Sequence, residues 1–164
     1  MQGKSPVVLQ AGSIDVNCRG TLLTTEECLL SKTQQRNPAM SRADYEKLFS
    51  DFLGIENVIW LDSGIAGDDT HGHVDDITRF VSPDTVVTAI ESDPDDPNYK
   101  PLRENIRRLR TATDQPGNPL PTVELPTPVS SRPATSAWGI RSTIPRKQQR
   151  GSRSRTHCSA GANA

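Results

Sequence analysis

The chain has 164 residues, of which 33% are hydrophobic and 4% aromatic, fractions that are low for a domain with a large core of its own. Its net charge of −1 excludes a strongly basic or acidic protein overall. No signal-peptide core or membrane-length apolar run is present, and three widely spaced cysteines argue against a disulfide framework or a zinc knuckle, so the sequence predicts a cytoplasmic protein without a membrane segment.

The first half of the chain predicts the order strand, strand, helix, strand. Short apolar runs at residues 6–10 and 21–30 are typical of strands, and the turn NCRG precedes the second. Ser41 is a natural helix N-cap, and apolar residues at helical spacing follow up to Gly54. The apolar run at 57–61, NVIWL, predicts a strand that is buried on both faces.

The second half of the chain predicts the same order again. Two strands, DITRFV at 76–81 and DTVVTAIE at 84–91, flank the turn SPD. The segment 98–110, NYKPLRENIRRLR, has an apolar stripe at helical spacing, and TVELP at 122–126 predicts a final strand.

The two halves also align residue by residue, which predicts an internal repeat. GTLLT at 20–24 matches DTVVT at 84–88, an offset of 84 − 20 = 64 residues. We therefore expect an α/β region over residues 1–128, made of two ββαβ units at about 7–66 and 67–128. The alternative is a plain α+β domain whose halves are alike by chance.

Residues 129–164 differ from the rest of the chain in composition and periodicity. They hold seven Lys or Arg, no acid and no sustained period of 2 or 3.6. This composition is typical of a disordered basic tail, which could contact nucleic-acid phosphates. Nucleic-acid binding is nevertheless disfavoured, because Trp138 stands alone and base stacking needs spaced aromatic side chains.

The stretch GDDTHGHVDD, residues 67–76, is the densest group of proton-active side chains. In an extended loop, His71, His73 and Asp75 would share one side and could bind zinc or iron. A second interpretation needs no metal: a histidine shuttles protons while an aspartate binds a cationic group, ideally the planar fork of a guanidinium. A third interpretation is a solvated connection between two strands.

Several blocks together resemble the agmatine deiminase and Porphyromonas-type peptidyl-arginine deiminase family. These blocks, from about Val7 to Pro128, are AGSIDVNCRGTLLTTEECLL, RNP, VIWLDSGIAGDDTHGHVDDITRFV, ESDPDDPNYKPLREN and VELPTP. The resemblance implies the pentein fold, a propeller-like ring of five ββαβ units. It also implies that this chain is a fragment holding about two of the five units.

The resemblance implies guanidine hydrolysis as the activity. A cysteine attacks the guanidinium carbon, ammonia leaves, and water releases a ureido product from the covalent intermediate. With agmatine the product is N-carbamoylputrescine, a step towards putrescine. Carried over by motif, His73 is the acid–base histidine and Asp75 binds the guanidinium, whereas His71 is only a neighbour. The resemblance implies no metal or other cofactor and a small guanidine as the partner. It leaves open whether the intact parent protein forms homo-oligomers.

The chain departs from the family pattern at three places. Gln10 stands where the family has a catalytic glutamate, and the upstream Trp-x-Arg-Asp block, which supplies a further substrate-binding aspartate, is missing. The nucleophile is unknown, because the pair His157-Cys158 lacks the glycine-rich context of the family's cysteine and is read as a coincidence. Cys18 and Cys28 are expected to pack in the fold. We therefore expect this chain alone to be inactive.

The sequence supports three further expectations, on the substrate, the C-terminal residues and other functions. Agmatine is preferred to peptidyl-arginine as substrate, because no secretion signal is present. Residues from about 129 onward are either a genuine basic tail or sequence translated out of frame. Two other functions stay open: a metal-dependent hydrolase that uses His71, His73 and Asp75, and a non-enzymatic protein that binds through its basic tail.

Overall fold

Residues 6–128 are described by a computed structural model, and they contain six strands, three α-helices and two short 3-10 turns. The strands are β1 Ile14–Val16, β2 Thr21–Thr25, β3 Asn57–Leu61, β4 Thr78–Ser82, β5 Thr85–Ile90 and β6 Thr122–Pro126. The helices are α1 Glu26–Leu30, α2 Arg42–Leu53 and α3 Tyr99–Thr111, and the 3-10 turns are Ala11–Ser13 and Val74–Asp76. The tail predictions for 129–164 lie outside the described residues.

The strands form two three-stranded sheets of the same design, in the orders β1-β2-β3 and β4-β5-β6. In each sheet the first two strands are antiparallel and the last two are parallel. The registers also repeat: the antiparallel pair Ile14↔Thr24 recurs as Thr78↔Thr88, since 78 − 14 and 88 − 24 both equal 64. The fold is therefore α/β with small mixed sheets, and the spacing seen in the sequence is also the spacing of the strand pairing.

Helix α2 has the boundaries that its capping residues predict. The Ser41 side chain accepts a hydrogen bond from the Asp44 backbone N–H, and the Asp44 side chain accepts one from the Ser41 N–H, which forms a capping box. At the other end Gly54 adopts the left-handed conformation, with φ 66°, and its N–H bonds to the carbonyls of Phe49 and Ser50. The stripe predicted for the second long helix is also confirmed, because Leu102 and Leu109 of α3 are fully buried.

Two strand predictions in the first half are wrong or incomplete. Residues 6–10 form no strand, because the Asn37 side chain bonds both the N–H and the C=O of Val8, at 2.8 Å each, in place of a strand partner. The predicted strand 21–30 stops at Thr25, whose hydroxyl accepts the Cys28 N–H at 3.1 Å and caps α1.

The first sheet is covered on both faces, as the apolar run of β3 predicts. Neighbouring strand residues alternate between two apolar clusters. One cluster joins the first sheet to α1 and α2, and its buried members are Leu22, Cys28, Leu29, Tyr45, Phe49, Ile55 and Trp60. The other joins it to α3 and the second sheet, and its buried members are Leu23, Ile59, Leu61, Val74, Ile77, Val86, Leu102, Leu109 and Leu120. The described residues up to Thr127 thus cluster as one compact unit.

Polar contacts also tie α3 to the first sheet. The Arg108 guanidinium lies 2.8 Å from Asp62 after β3, 3.0 Å from Glu26 at the start of α1 and 2.9 Å from Glu104 of its own helix. Asp62 and Glu26 therefore share one cation across two elements. Because this arginine is only 23% exposed, its ion pairs are less screened than those at an open surface.

Candidate active site

The histidine-containing loop is sharply turned rather than extended. His71 and Gly72 both have left-handed backbone, with φ 62° and 84°. Consequently His71 contacts Ser31, with Nε2 and Oγ 3.2 Å apart, and its Nδ1 lies 3.6 Å from Glu27. His73 contacts a different set of residues. The expectation that both histidines share one side with Asp75 is therefore wrong for His71, because two consecutive left-handed residues break the alternation of an extended chain.

His73 and Asp75 meet above a glycine of the first 3-10 turn. The His73 Nδ1 lies 3.9 Å from Asp75 Oδ1. A methyl group added at Gly12 would sit 2.5 Å from His73 Nδ1 and 2.6 Å from Asp75 Oδ1, so only glycine allows this approach. The structure thus brings together the two residues that the motif singled out, and places them against the segment QAGS from near the start of the sequence.

Gln10 completes this group from the opposite side of His73. Its Oε1 is 2.5 Å from His73 Nε2, although the two residues are 63 positions apart. The Gln10 carbonyl accepts hydrogen bonds from the N–H and the hydroxyl of Ser13, at 3.0 and 2.6 Å, and the Ser13 carbonyl accepts one from Thr24. The first 3-10 turn is therefore anchored to β2, and it holds the Gln10 side chain over the histidine.

Arg36 is a further member of the site that the sequence analysis missed. Its Nε and Nη2 donate to Gln10 Oε1, at 3.1 and 2.8 Å. Nη2 also donates to the carbonyl of Thr70 in the histidine loop, and Nη1 donates to the carbonyl of Cys28 in α1 at 3.4 Å. The block RNP carried this arginine, but nothing in its local pattern indicates a partner 26 residues away.

The histidine loop is held internally by Asp68. Its carboxylate accepts from the N–H and hydroxyl of Thr70, at 2.7 and 2.5 Å, and from the Gly72 N–H at 2.8 Å. Burial alone would raise the pKa of Asp68, but these bonds and one from the His73 backbone outweigh it and hold the pKa below its usual value. The loop therefore has a defined internal structure between Asp68 and Gly72.

Two other carboxylates of the loop lie in unequal surroundings. Burial, and then the nearby charges of Asp68 and Asp75, raise the pKa of Asp76. Asp75 is 34% exposed and faces the Arg79 guanidinium at 4.0 Å, while Arg79 also lies 3.3 Å from Asp15. Since Arg79 has a second carboxylate partner, Asp75 is only partly neutralised and could receive an additional cation.

Helices α1 and α3 hold residues 62–64, the segment that leads from β3 into the histidine loop. Asn105 is fully buried; its side chain accepts the Asp62 N–H at 2.8 Å and donates to the Ser63 carbonyl at 2.7 Å. Glu27 of α1 accepts the Gly64 N–H at 2.8 Å. A methyl group at Gly64 would lie 2.7 Å from the Gly72 Cα, so the two ends of the loop pass in direct contact.

Neither described cysteine is a ready nucleophile at this site. Cys28 is buried in the core as predicted, and burial raises the pKa of its thiol, which disfavours the reactive thiolate. The packing prediction is wrong for Cys18, which is exposed in the turn between β1 and β2, at the end of the hairpin remote from Ser13. Cys158 lies outside the described residues.

The metal-site alternative finds no ligand set in this part of the chain. Within residues 6–128, no group of three or more His, Cys, Asp or Glu side chains is arranged to hold a metal ion. The geometric reason is that His71 and His73 contact different partners, Ser31 with Glu27 in one case and Gln10 with Asp75 in the other.

An open groove elsewhere on the surface does not overlap the site. It has a volume of about 790 Å³ and runs along α3, lined among others by Tyr99, Arg103 and Glu124. None of the residues around His73 lines it.

None of the helices among residues 6–128 combines the length and the hydropathy that crossing a bilayer requires.

Comparisons with known proteins converge on one family. The family model described as Porphyromonas-type peptidyl-arginine deiminase matches residues 1–159, whereas the resemblance read from the sequence ended at 128. Agmatine deiminase from Pseudomonas aeruginosa is 43% identical over 121 residues, which are 74% of this chain and 32% of that protein.

Solved structures agree with this match. Agmatine deiminase of Enterococcus faecalis gives a TM-score of 0.73 and 36% identity, over 84% of this chain and 37% of its own. A C. jejuni agmatine deiminase with substrate bound gives a TM-score of 0.65 and 32% identity, over 75% of this chain and 35% of its own. The chain thus spans between 32% and 37% of the length of these relatives.

Proposed function

The chain belongs to the Porphyromonas-type peptidyl-arginine deiminase family, and from this premise we propose that it carries part of the active site of an agmatine deiminase-type hydrolase acting in the cytoplasm on a small guanidine. One observation supports this most directly. His73 and Asp75 converge over Gly12, and the side chain at position 10 contacts His73 from the other side. A proton carrier and a carboxylate side by side are what the hydrolysis of a guanidinium requires.

Each residue has a definite role in this proposal. The Asp75 carboxylate accepts hydrogen bonds from the substrate guanidinium and sets its position. A cysteine thiolate attacks the guanidinium carbon, and His73 donates the proton with which ammonia leaves. His73 then takes a proton from water, which attacks the same carbon, breaks the carbon–sulfur bond and releases N-carbamoylputrescine when the substrate is agmatine.

Gln10 should stabilise a bound guanidinium less than a glutamate at the same position would. Its Oε1 accepts from both Arg36 and His73, so the hydrogen-bonding part of the position is retained. The negative charge is absent, and a charged acceptor contributes about 1.5–3 kcal/mol against about 1 kcal/mol for a neutral one. We therefore expect weaker substrate binding than in a variant with glutamate at position 10.

The same proposal extends to the fold. Leu23, Ile59 and Leu61 of the first sheet are buried beneath α3 and the second sheet. At the offset of 64 residues their counterparts are Val87, Val123 and Leu125 (87 − 23, 123 − 59, 125 − 61), and Val123 and Leu125 are 49% and 53% exposed. A third ββαβ unit would cover this face as the second covers the first, which supports assigning the two units to the ring of five that the pentein fold contains.

Binding of agmatine to the purified chain tests the site. Nuclear magnetic resonance shifts of the histidine loop report binding, and putrescine, which lacks the guanidinium, is the control ligand. Asp75→Asn should weaken agmatine binding about 10- to 100-fold, because a charge-assisted bond is lost, and Gln10→Glu should strengthen it by a similar order. Asp69→Asn changes the same charge at an exposed position of the loop and should have little effect. Equal affinities for all four proteins would contradict the proposal.

Turnover is a separate readout from binding. Release of ammonia and N-carbamoylputrescine by the chain alone should not be detected if only the described residues act, because Cys28 is a buried thiol. Turnover that disappears in Cys158→Ala but persists in Cys28→Ala would overturn the reading of Cys158 as a coincidence, and would assign the nucleophile to that cysteine.

A further inference from the structure

We propose that Arg36 is a positioning residue that fixes the tautomer of His73 through the Gln10 amide. The inference rests on the proposed function, since it concerns the nitrogen with which His73 exchanges protons. Arg36 itself contacts no reacting group; it acts on His73 through Gln10, which lies between them. The donor and acceptor atoms of Arg36, Gln10 and His73 fix how these three side chains are oriented towards one another.

The first step concerns the orientation of the amide. A guanidinium has five N–H donors and no acceptor. Both Nε and Nη2 of Arg36 point at the Gln10 side-chain oxygen, at 3.1 and 2.8 Å. If the amide were turned round, its NH₂ group would face those two donors, and neither side would have an acceptor. The guanidinium therefore selects the orientation in which the Gln10 oxygen points inward.

The orientation of the Gln10 amide in turn fixes which nitrogen of His73 carries the hydrogen. The same oxygen lies 2.5 Å from His73 Nε2, and an amide oxygen only accepts hydrogen bonds. Nε2 must therefore carry the hydrogen. In the neutral ring the lone pair is then on Nδ1, the nitrogen that lies 3.9 Å from Asp75 Oδ1 and faces Gly12. Proton exchange with a substrate held by Asp75 takes place at Nδ1.

The third step explains why Arg36 can impose an orientation. Its guanidinium is bonded at two further places, the carbonyl of Thr70 in the histidine loop and the carbonyl of Cys28 in α1. These backbone acceptors belong to different elements, so rotating the guanidinium away would leave both without their donor. The His73 side chain as a whole is only 12% exposed, whereas its bond to Gln10 lies at the exposed edge of the site.

The test is the nitrogen chemical shifts of the histidine side chains in the full purified chain, above the pH at which the rings titrate. The spectrum of His73 is assigned with His71→Asn and His157→Asn variants. In the unsubstituted protein the Nε2–H form should exceed the Nδ1–H form about tenfold or more, because the other form loses its bond to Gln10. Arg36→Met should reduce this excess to a mixture, since the amide can then rotate. Arg36→Lys keeps a donor-only cation and should restore most of it.

A double variant keeps the test independent of folding defects. In Gln10→Glu with Arg36→Met, the side chain at position 10 has two acceptor oxygens and no NH₂, so the Nε2–H form should return without the arginine. Arg103→Met, on the outer side of α3 beside Tyr99, is the matched control and should leave the spectrum of His73 unchanged. Agmatine is absent throughout, so a failure of the proposed function leaves this readout intact.

Two results would overturn the inference. One is a predominant Nδ1–H form in the unsubstituted protein. The other is an Arg36→Met spectrum that matches the unsubstituted one while the amide spectrum shows a folded chain. If Arg36→Met unfolds the protein, the double variant Gln10→Glu/Arg36→Met is used instead. A folded double variant in which His73 shows no excess of the Nε2–H form would contradict the role of position 10.

Discussion

Two 3-10 turns lie at similar places in the two repeated units: Ala11–Ser13 directly precedes β1, and Val74–Asp76 precedes β4 with one residue between. The residue that precedes each turn is Gln10 in the first and His73 in the second, and these two side chains touch. At the 64-residue offset of the strands Gln10 corresponds to Val74, so the second turn begins one residue earlier relative to its strand and His73 precedes it. The repeated backbone therefore brings the two segments together, whereas the chemistry comes from side chains that differ between the units.

The two units also differ in how far the faces of their sheets are covered. The first sheet is covered on both faces, and the corresponding face of the second sheet leaves Val123 and Leu125 half exposed. Equivalent leucines, Leu61 and Leu125, are therefore 0% and 53% exposed within otherwise similar strands. The same residue type at the same repeat position should contribute unequally to stability.

The largest expected effect separates these two leucines. Leu61→Ala removes a fully buried side chain and should lower the free energy of unfolding by about 2–5 kcal/mol. Leu125→Ala removes a side chain that is already largely hydrated and should cost about 0.5 kcal/mol or less. Urea unfolding of both variants measures the difference. Equal losses would contradict it, and would mean that the face bearing Leu125 is covered in solution.

A smaller effect is expected where the two turns approach each other. Gly12→Ala places a methyl group against His73 and Asp75, and the strain should cost about 1–3 kcal/mol and separate His73 from Gln10. Gly67→Ala is the control: nothing lies within 4 Å of the added methyl, so only the left-handed backbone is strained. The His73 ring resonances should therefore shift in Gly12→Ala and stay in place in Gly67→Ala. Unshifted resonances in both variants would show that the turns are not in contact.

The smallest effect concerns α3, which joins the second unit to the first. Hydrogen bonds from Arg107, and then from Arg108, lower the pKa of Glu104 from 4.5 to about 2. The folded-state pKa lies below the unfolded one, so this contribution to stability is complete above about pH 4.5 and disappears as the pH falls towards 2. Urea unfolding between these pH values should show a decline that is shallower in Glu104→Gln. Identical slopes would contradict the pairing, and Asp69→Asn, which removes one carboxylate at an exposed position, is the control.

Much of the fold was predictable because the signals are local. Ser41 and Gly54 delimit α2 through bonds to residues within one helical turn. The strands β2 and β3 and the 64-residue offset of the strand pairs follow from side-chain patterns along the chain. The failures are equally physical: residues 6–10 pair with the Asn37 side chain, and Thr25 ends β2 because it caps α1.

The candidate site was predictable only in part. His73 and Asp75 are two residues apart in a distinctive motif, and the structure brings them together. His71 belongs to the same motif, but a left-handed backbone turns it to Ser31 and Glu27. Arg36 gave no signal of its own, since its role depends on carbonyls and an amide oxygen from three separate segments.

Residue types at short spacing were enough to predict most of the elements, the repeat and the motif that contains His73 and Asp75. The packing of the two units is what places Gln10 against His73, Gly12 beneath the histidine and Arg36 on the far side of the amide. The physical reason is distance along the chain. A contact between residues 63 positions apart depends on how two sheets and two turns pack, and no local pattern encodes that arrangement.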